Sequence, residues 1–263
     1  MVNFEQSLTP EQEKTALEKE LFVREVPEEY KSLIEKVDLV RKPSCDFSSD
    51  LIKKLDEESR GDTLRNIIEN GVVLDLGSSG HSYISKFVAK LGAKKYIGID
   101  LDPHYSFGGT CGPMPEIELG ADENVCLKEP EQINDANVPF VNKFEDYQKR
   151  FLETKIKRPT IEKIQGVDVR VEGDMLSFIS RLGGESVSAV VLAGIESGLC
   201  NNDKNNYEYL LFLKKEIVRV LKNGGIVISY VSDFFPEKSD NLTELYKFEV
   251  FDLQDRKSAI YQK

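Results

Sequence analysis

Apolar residues in this chain follow two different periods. Some short runs are apolar at nearly every position, as expected for strands buried on both faces of a parallel sheet. These runs are Val72–Leu76, residues 96–99, Val187–Ala193 and residues 226–231. Other segments, such as 83–91 and 210–221, repeat apolar residues every three or four positions, which is the pattern of amphipathic helices. Strands alternating with helices predict an α/β fold with a doubly wound, mostly parallel sheet.

The turn after the first apolar run consists of small residues. Leu76 is followed by Gly77, Ser78, Ser79 and Gly80, then by a helix-period segment and a second run that ends at Asp100. Strand, glycine turn, helix, strand and acid form the pattern of a mononucleotide-binding βαβ unit. Small residues allow backbone N–H groups and the helix N-terminus to approach an anion. The acid, 23 positions after the first glycine, is suitably placed to accept both hydroxyls of a ribose.

An acid inside the first strand distinguishes this turn from a dinucleotide-binding turn. Asp75 stands two residues before Gly77, and the G-x-G-x-x-G pattern of dinucleotide enzymes is not present. Here the chain resembles the class I S-adenosylmethionine-dependent methyltransferases, which have a Rossmann-like fold and a first motif of Asp/Glu-x-Gly-x-Gly-x-Gly. Asp75 and Gly77 match that motif, whereas Ser79 and His81 occupy positions where further glycines are usual.

Later segments resemble the same family in the same order. Glu172-Gly173-Asp174-Met175 follows the alternating apolar positions 167–171 and is similar to the family's third motif. Leu-Lys-Asn-Gly-Gly at 221–225 resembles the passage into the fifth strand, and the strand-like runs 248–253 and 258–262 resemble the closing antiparallel hairpin. The resemblance covers roughly residues 71–263. It implies a doubly wound, mostly parallel seven-stranded sheet with helices on both faces.

The resemblance implies S-adenosylmethionine as the cofactor and a set of residues that contact it. In the family, the acid after the third strand accepts the adenine amine and the next backbone N–H reaches the ring, which assigns these roles to Asp174 and Met175. His81 is expected to shape the site for the cofactor's carboxylate. The full set of expected cofactor contacts is Asp75, Gly77, Ser78, Ser79, Gly80, His81, Asp100, Leu101, Asp174, Met175, Ala193 and Gly194.

Methyl transfer from a sulfonium is an in-line displacement, so it requires a general base only when the nucleophile arrives protonated. Candidates for such a catalytic residue are Glu196, just after the fourth strand, and His104 and Tyr105, just after the second. Two of them have a plainer interpretation. Glu196 is equally well explained as a loop acid or helix cap, and His104 is better explained as a turn residue after Pro103.

Two regions lie outside the common core. Residues 1–70 form a predicted helical extension with an N-cap at Thr9, either a lid over the site or helices packed on the sheet. Residues 103–166 form an insertion, with a predicted helix at 141–156, that leaves the ligand-binding edge. The insertion either shapes the substrate pocket or is a peripheral loop. The basic run from Lys149 to Lys163 indicates a solvated helix face rather than an RNA-docking strip.

Composition narrows the possible environments and partners. The chain has 263 residues, of which 40% are hydrophobic, enough for one α/β core and an appendage. Its net charge of −11 opposes a nucleic-acid partner, since phosphate contacts supply most of that affinity. Four dispersed cysteines and two histidines indicate free thiols in a cytoplasmic protein rather than a metal site. The sequence contains no secretory signal pattern and no run of roughly 20 apolar residues, which predicts that the chain does not cross a membrane.

Together these patterns predict a cytoplasmic methyltransferase that acts on a small molecule or a protein side chain. Two alternatives stay open. A methyltransferase-fold binding protein without catalysis is supported by the irregular turn at 77–81. The second alternative is an NAD-dependent oxidoreductase, which would not account for the combination of Asp75, Asp174 and the C-terminal hairpin. The sequence specifies neither the methyl acceptor nor the oligomeric state.

Overall fold

The computed structural model describes residues 8–37, 51–52, 54–55, 61–78, 83–101, 116–119, 125–128, 152–193, 204–232, 241–248 and 257–263. The helices labelled here are α1 (Pro10–Leu21), α2 (Glu28–Lys36), α3 (Gly61–Ile68), α4 (Tyr83–Lys90), α5 (Met175–Ile179) and α6 (Lys204–Val220). The strands are β1 (Val72–Leu76), β2 (Lys95–Asp100), β3 (Glu116–Leu119), β4 (Val125–Lys128), β5 (Thr160–Gln165), β6 (Asp168–Glu172), β7 (Val187–Ala193), β8 (Leu221–Ser232), β9 (Thr243–Lys247) and β10 (Lys257–Gln262).

One large sheet organises the described chain. Its strand order is β5-β6-β2-β1-β7-β8-β10-β9. The strands from β6 to β8 in this order run parallel, while β10 is antiparallel to both β8 and β9. One face packs against α1, α2, α5 and α6, and the other packs against α3 and α4. The structure therefore confirms the predicted doubly wound sheet with helices on both faces and a closing hairpin.

The sheet has eight strands, not the seven that were predicted. The additional strand, β5, pairs antiparallel with β6 and comes from the end of the region assigned to the insertion. Only one of its six residues, Ile161, is fully buried. An edge strand this exposed lacks the continuous apolar run that revealed the central strands, which is why the sequence pattern did not indicate it.

The closing hairpin begins earlier than predicted. Its first strand, β9, spans Thr243–Lys247, whereas the apolar run had indicated 248–253. This strand lies at the outer edge of the sheet and is largely exposed, so its sequence, Thr-Glu-Leu-Tyr-Lys, is mostly polar. The next residue, Phe248, is buried, and its N–H donates to the Ser258 carbonyl at 2.7 Å. Residues 249–256 lie outside the described chain.

The predicted N-terminal helices are present, and they pack on the sheet's helical layer. Helix α1 begins with the expected capping box, in which Thr9 and Gln12 each accept a hydrogen bond from the other's backbone N–H. In α2, Tyr30, Leu33 and Ile34 are buried in the same core cluster as α5 and α6. Among the described residues, no helix has the length and apolar character needed to cross a membrane.

Besides β5, the described part of the insertion contains two short structures. Strands β3 and β4 pair with each other in a separate two-stranded sheet. Residues 152–156, the end of the helix predicted at 141–156, are helical, and the earlier part of that prediction lies outside the described residues.

Candidate functional site

Three buried acids mark the carboxyl edge of the sheet. Asp75 lies near the end of β1, Asp100 ends β2, and Asp174 follows β6. These strands are direct neighbours in the order β6-β2-β1, and their side chains are 3%, 9% and 1% exposed, respectively. The N–H of Gly173 donates to the Asp100 carbonyl at 2.9 Å, which joins the ends of β6 and β2. Ligands of open α/β sheets bind beyond this edge, so the fold brings the predicted acids together where a site is expected.

The glycine turn is attached to the end of β2. Gly77 has a φ of +74°, a left-handed conformation that favours glycine. The N–H groups of Gly77 and Ser78 both donate to the carbonyl of Ile99, at 2.9 and 3.1 Å. These two amides are therefore engaged within the protein. The remaining predicted turn residues, Ser79, Gly80 and His81, lie outside the described chain.

Asp75 has a partner that the sequence analysis did not identify. The Tyr96 hydroxyl donates to Asp75 Oδ2 at 2.6 Å, and both side chains are buried. Burial, followed by the negative charge of Asp75, raises the pKa of Tyr96 well above its ordinary value. Tyr96 therefore remains a neutral donor to Asp75. The only sign of this contact in the sequence is that a tyrosine begins the run 96–99, which otherwise consists of isoleucine and glycine.

Gly98 allows several polar side chains to meet beside that pair. A Cβ at this position would lie 2.7 Å from Ser78 Oγ and 3.0 Å from Arg170 Nη1, too close for an ordinary contact. Arg170 also lies over the Tyr96 ring, 5.3 Å from its centroid, and forms an ion pair with Asp168 at 3.0 Å. A buried polar cluster thus lies beneath the turn, with a glycine at its centre.

Asp174 caps α5 and contacts α6. Its Oδ1 accepts the Ser177 N–H at 2.8 Å, and its Oδ2 accepts the Tyr209 hydroxyl at 2.8 Å. The Tyr209 oxygen accepts the Leu176 N–H at 3.3 Å. Burial raises the pKa of Asp174 to about 6, although these hydrogen bonds and the charge of Lys155 act in the opposite direction. Both carboxylate oxygens therefore have partners inside the protein.

Lys155 is buried, which corrects the prediction that its basic run forms a solvated face. Its ammonium donates to the carbonyl of Val37, at the end of α2. Lys157 and Arg158, further along the run, are exposed as predicted. A helical pattern of charges did not indicate Lys155's burial because its partner is a backbone carbonyl 118 residues away. The N-terminal extension and the end of the insertion consequently meet near Asp174.

The other predicted site residues divide into two groups. Leu101, Met175 and Ala193 are half-buried at the ends of β2, β6 and β7. Gly194 and all three catalytic candidates, Glu196, His104 and Tyr105, lie outside the described residues. Within the ranges given above, no group of three or more His, Cys, Asp or Glu side chains is arranged to hold a metal ion.

The central parallel strands, the closing hairpin and the acids at the ends of three adjacent strands agree with the sheet that the resemblance to the class I methyltransferases implied. No protein-family model and no curated protein sequence matches the chain.

Several solved structures show a distant likeness to this chain. A proposed methyltransferase from Escherichia coli, yhhF, is 13% identical, with 86% of this chain and 90% of that chain covered at a TM-score of 0.43. An rRNA methylase from Streptococcus thermophilus is 8% identical, with 77% and 93% covered at 0.37. A Burkholderia thailandensis 1,6-didemethyltoxoflavin-N1-methyltransferase, with bound 1,6-didemethyltoxoflavin and S-adenosylhomocysteine, is 11% identical, with 91% and 89% covered at 0.37. Likenesses this distant carry no argument about this chain.

Proposed function

We propose that this protein is an S-adenosylmethionine-dependent methyltransferase. The observation that carries the proposal is the set Asp75, Asp100 and Asp174 at the ends of three adjacent parallel strands, beside a turn that begins with a left-handed glycine. A nucleoside presents hydroxyl and amine donors, and a sulfonium amino acid adds a sulfonium and an ammonium cation beside its carboxylate. Buried carboxylates are suited to both, since charge-assisted hydrogen bonds are stronger than neutral ones.

Each acid is assigned a different part of the cofactor. Asp100, at the tip of β2, accepts the ribose hydroxyls, and Leu101 lies beside it. The corner formed by Asp174 and Met175 receives the adenine ring. Asp75, fixed by Tyr96, supplies negative charge beneath the turn and favours the positively charged methionine end. Ala193, which ends β7, and Gly194, the next residue in the sequence, are further proposed contacts to the cofactor.

S-adenosylmethionine would supply an activated methyl group, to which the acceptor's nucleophile bonds in line as the methyl–sulfur bond breaks and S-adenosylhomocysteine leaves. The chain's residues hold this donor, align the acceptor with the sulfur–methyl axis and exclude water. The proposed acceptor is a small molecule or a protein side chain, because the net charge of −11 opposes a polyanionic partner. For a protonated nucleophile, Glu196, His104 and Tyr105 are the candidates to accept the proton. A cytoplasmic location remains part of the proposal.

Ligand-dependent thermal unfolding tests the cofactor assignment. S-adenosylmethionine and S-adenosylhomocysteine should each raise Tm, the tighter ligand by more, whereas NAD at the same concentration should not. A rise with NAD and none with S-adenosylhomocysteine would overturn the proposal in favour of an oxidoreductase. The same protein, given S-adenosylmethionine labelled in the methyl group, should transfer label to a component of a small-molecule extract or to a protein substrate.

The second candidate is a binding protein with this fold and no catalysis. It is favoured by Ser79 and His81, which replace glycines of the family motif, and by the engagement of the Gly77 and Ser78 amides with Ile99. Under this candidate, S-adenosylhomocysteine binds while no acceptor class receives label. Transfer of label to any acceptor would exclude it.

A further inference from the structure

Asn206 has a buried polar atom that lacks a partner. This residue lies in the first turn of α6 and is 3% exposed. Its side-chain oxygen Oδ1 is fully enclosed and has no hydrogen-bond partner among the described residues. An unsatisfied buried acceptor is destabilising, so native proteins seldom leave one without a reason. A ligand that brings an N–H or O–H donor to this position would supply the missing partner.

The position of Asn206 is fixed by its neighbour on the same helix face. Tyr209, three residues later, sends its hydroxyl to Asp174. Three residues correspond to about 4.5 Å along a helix axis, so Asn206 lies one turn beyond this contact. Helix α6 ends at Val220, where β8 begins, and its start therefore lies toward the carboxyl edge of β7. Asn206 thus lies on the ligand side of the Asp174–Tyr209 pair.

The two acceptors in this corner differ in their availability. Both residues are almost completely buried, but Asp174 already accepts hydrogen bonds from the Ser177 N–H and the Tyr209 hydroxyl. Those bonds explain Asp174 as the cap that fixes the start of α5. Asn206 has an acceptor oxygen that none of these bonds uses. A side-chain amide is also a natural partner for adenine, because its acceptor and donor match the exocyclic amine and an adjacent ring nitrogen.

We infer that Asn206 is the residue that distinguishes adenine in the cofactor site, with its Oδ1 accepting the exocyclic amine, while Asp174 holds the corner in shape. This inference rests on the proposed binding of S-adenosylmethionine and adds a specificity residue to that site. It reassigns to Asn206 the amine contact that the sequence motif had suggested for Asp174.

The test compares two ligands that differ at one group of the base. S-inosylhomocysteine carries a carbonyl where S-adenosylhomocysteine carries the amine, so it brings an acceptor against Asn206 Oδ1. By calorimetry, the full-length protein should bind S-adenosylhomocysteine at least tenfold more tightly than the inosine analogue. Asn206→Leu should reduce that preference to less than threefold, whereas Asn206→Asp, which retains an acceptor, should preserve it. Asn205→Leu, at the adjacent half-buried position, is the matched control and should leave the preference unchanged.

The possible outcomes separate the inference from the proposed function. If the wild-type protein binds neither S-adenosylmethionine nor S-adenosylhomocysteine, the proposed function fails. If it binds them but binds the inosine analogue equally well, or if folded Asn206→Leu retains the full preference, the inference is overturned. Should Asn206→Leu fail to fold, Asn206→Ala provides the same comparison with a shorter side chain that also lacks an acceptor. An Ala variant that retains the wild-type preference also overturns the inference.

Discussion

The hydroxyl of Tyr96 donates a 2.6 Å hydrogen bond to the carboxylate of Asp75, across two neighbouring central strands. Both side chains are buried, and Gly98, which lies opposite Asp75 in the parallel register, leaves space for the cluster beside them. Tyr96 lies opposite Val73 in the register, two residues before Asp75, so it holds the Asp75 carboxylate from the side away from the glycine turn. Asp75 therefore belongs to the protein's internal polar network as well as to the proposed site.

Replacing Tyr96 with Phe should affect both stability and ligand binding. The change removes a donor from a buried carboxylate and should lower the free energy of unfolding by about 1–3 kcal/mol. It should also weaken S-adenosylhomocysteine, which has an amino-acid end near Asp75, more than 5′-methylthioadenosine, which lacks that end. Denaturant unfolding and calorimetry measure the two effects. Tyr207→Phe, on the exposed face of α6, is the control, and equal weakening of both ligands would contradict the assigned role of Asp75.

Replacing Asp100 with Ala should weaken S-adenosylmethionine at least tenfold while the protein remains folded. The physical reason is the loss of a charged, bidentate contact to the ribose, for which about 1.5–3 kcal/mol is expected. Calorimetry on the variant, with Glu153→Ala as an exposed control, measures the change. Unchanged affinity for the Asp100 variant would show that the ribose lies elsewhere.

Asp174 makes the folding stability depend on pH in a direction unusual for a carboxyl group. Its pKa in the folded protein is raised from 3.8 to about 6. The folded state therefore retains the proton at a pH where the unfolded chain has lost it. As pH rises from 4 to 7, the folded state loses stability relative to a chain that lacks this group. A shift of about two units corresponds to about 3 kcal/mol.

The comparison of wild type with Asp174→Asn isolates this contribution. Asparagine also caps helices well but does not ionise, so it retains the α5 cap. Between pH 4 and pH 7 the free energy of unfolding of Asp174→Asn should rise relative to that of the wild type by up to about 3 kcal/mol. Denaturant titrations at several pH values measure it. A difference that stays constant across this pH range would show that burial does not raise the pKa of the Asp174 carboxyl.

Replacing residues 108–137 with a short Gly/Ser linker should separate acceptor recognition from cofactor binding. The described part of this segment, β3 and β4, forms its own two-stranded sheet, whereas Gly77, Asp100 and Asp174 belong to the main sheet. Affinity for S-adenosylhomocysteine should remain within a few-fold of wild type, while transfer to the true acceptor is abolished. A folded variant that has lost cofactor affinity would assign the insertion to the cofactor site instead.

Sequence reasoning succeeded where a local pattern determines the structure. The bounds of β1 and β7 follow from continuous apolar runs, because both strands are buried on both faces. Edge strands β5 and β9 were missed or shifted because their exposed faces remove that signal. The Tyr96–Asp75 bond and the burial of Lys155 were not predictable in the same way. Each depends on a partner brought close by the fold, and a single sequence does not reveal such pairs.

The order of the last three strands has a consequence for how the chain folds as it is synthesised. Strand β10 lies between β8 and β9, both of which precede it in the sequence. Among the described residues β9 pairs with β10 alone, so it cannot take its place in the sheet until β10 has been made. At synthesis rates of roughly 5–20 residues per second, this wait lasts on the order of a second after β9 is made. During that interval β8 presents an open edge, and the nascent chain is most exposed to pairing with the wrong strand.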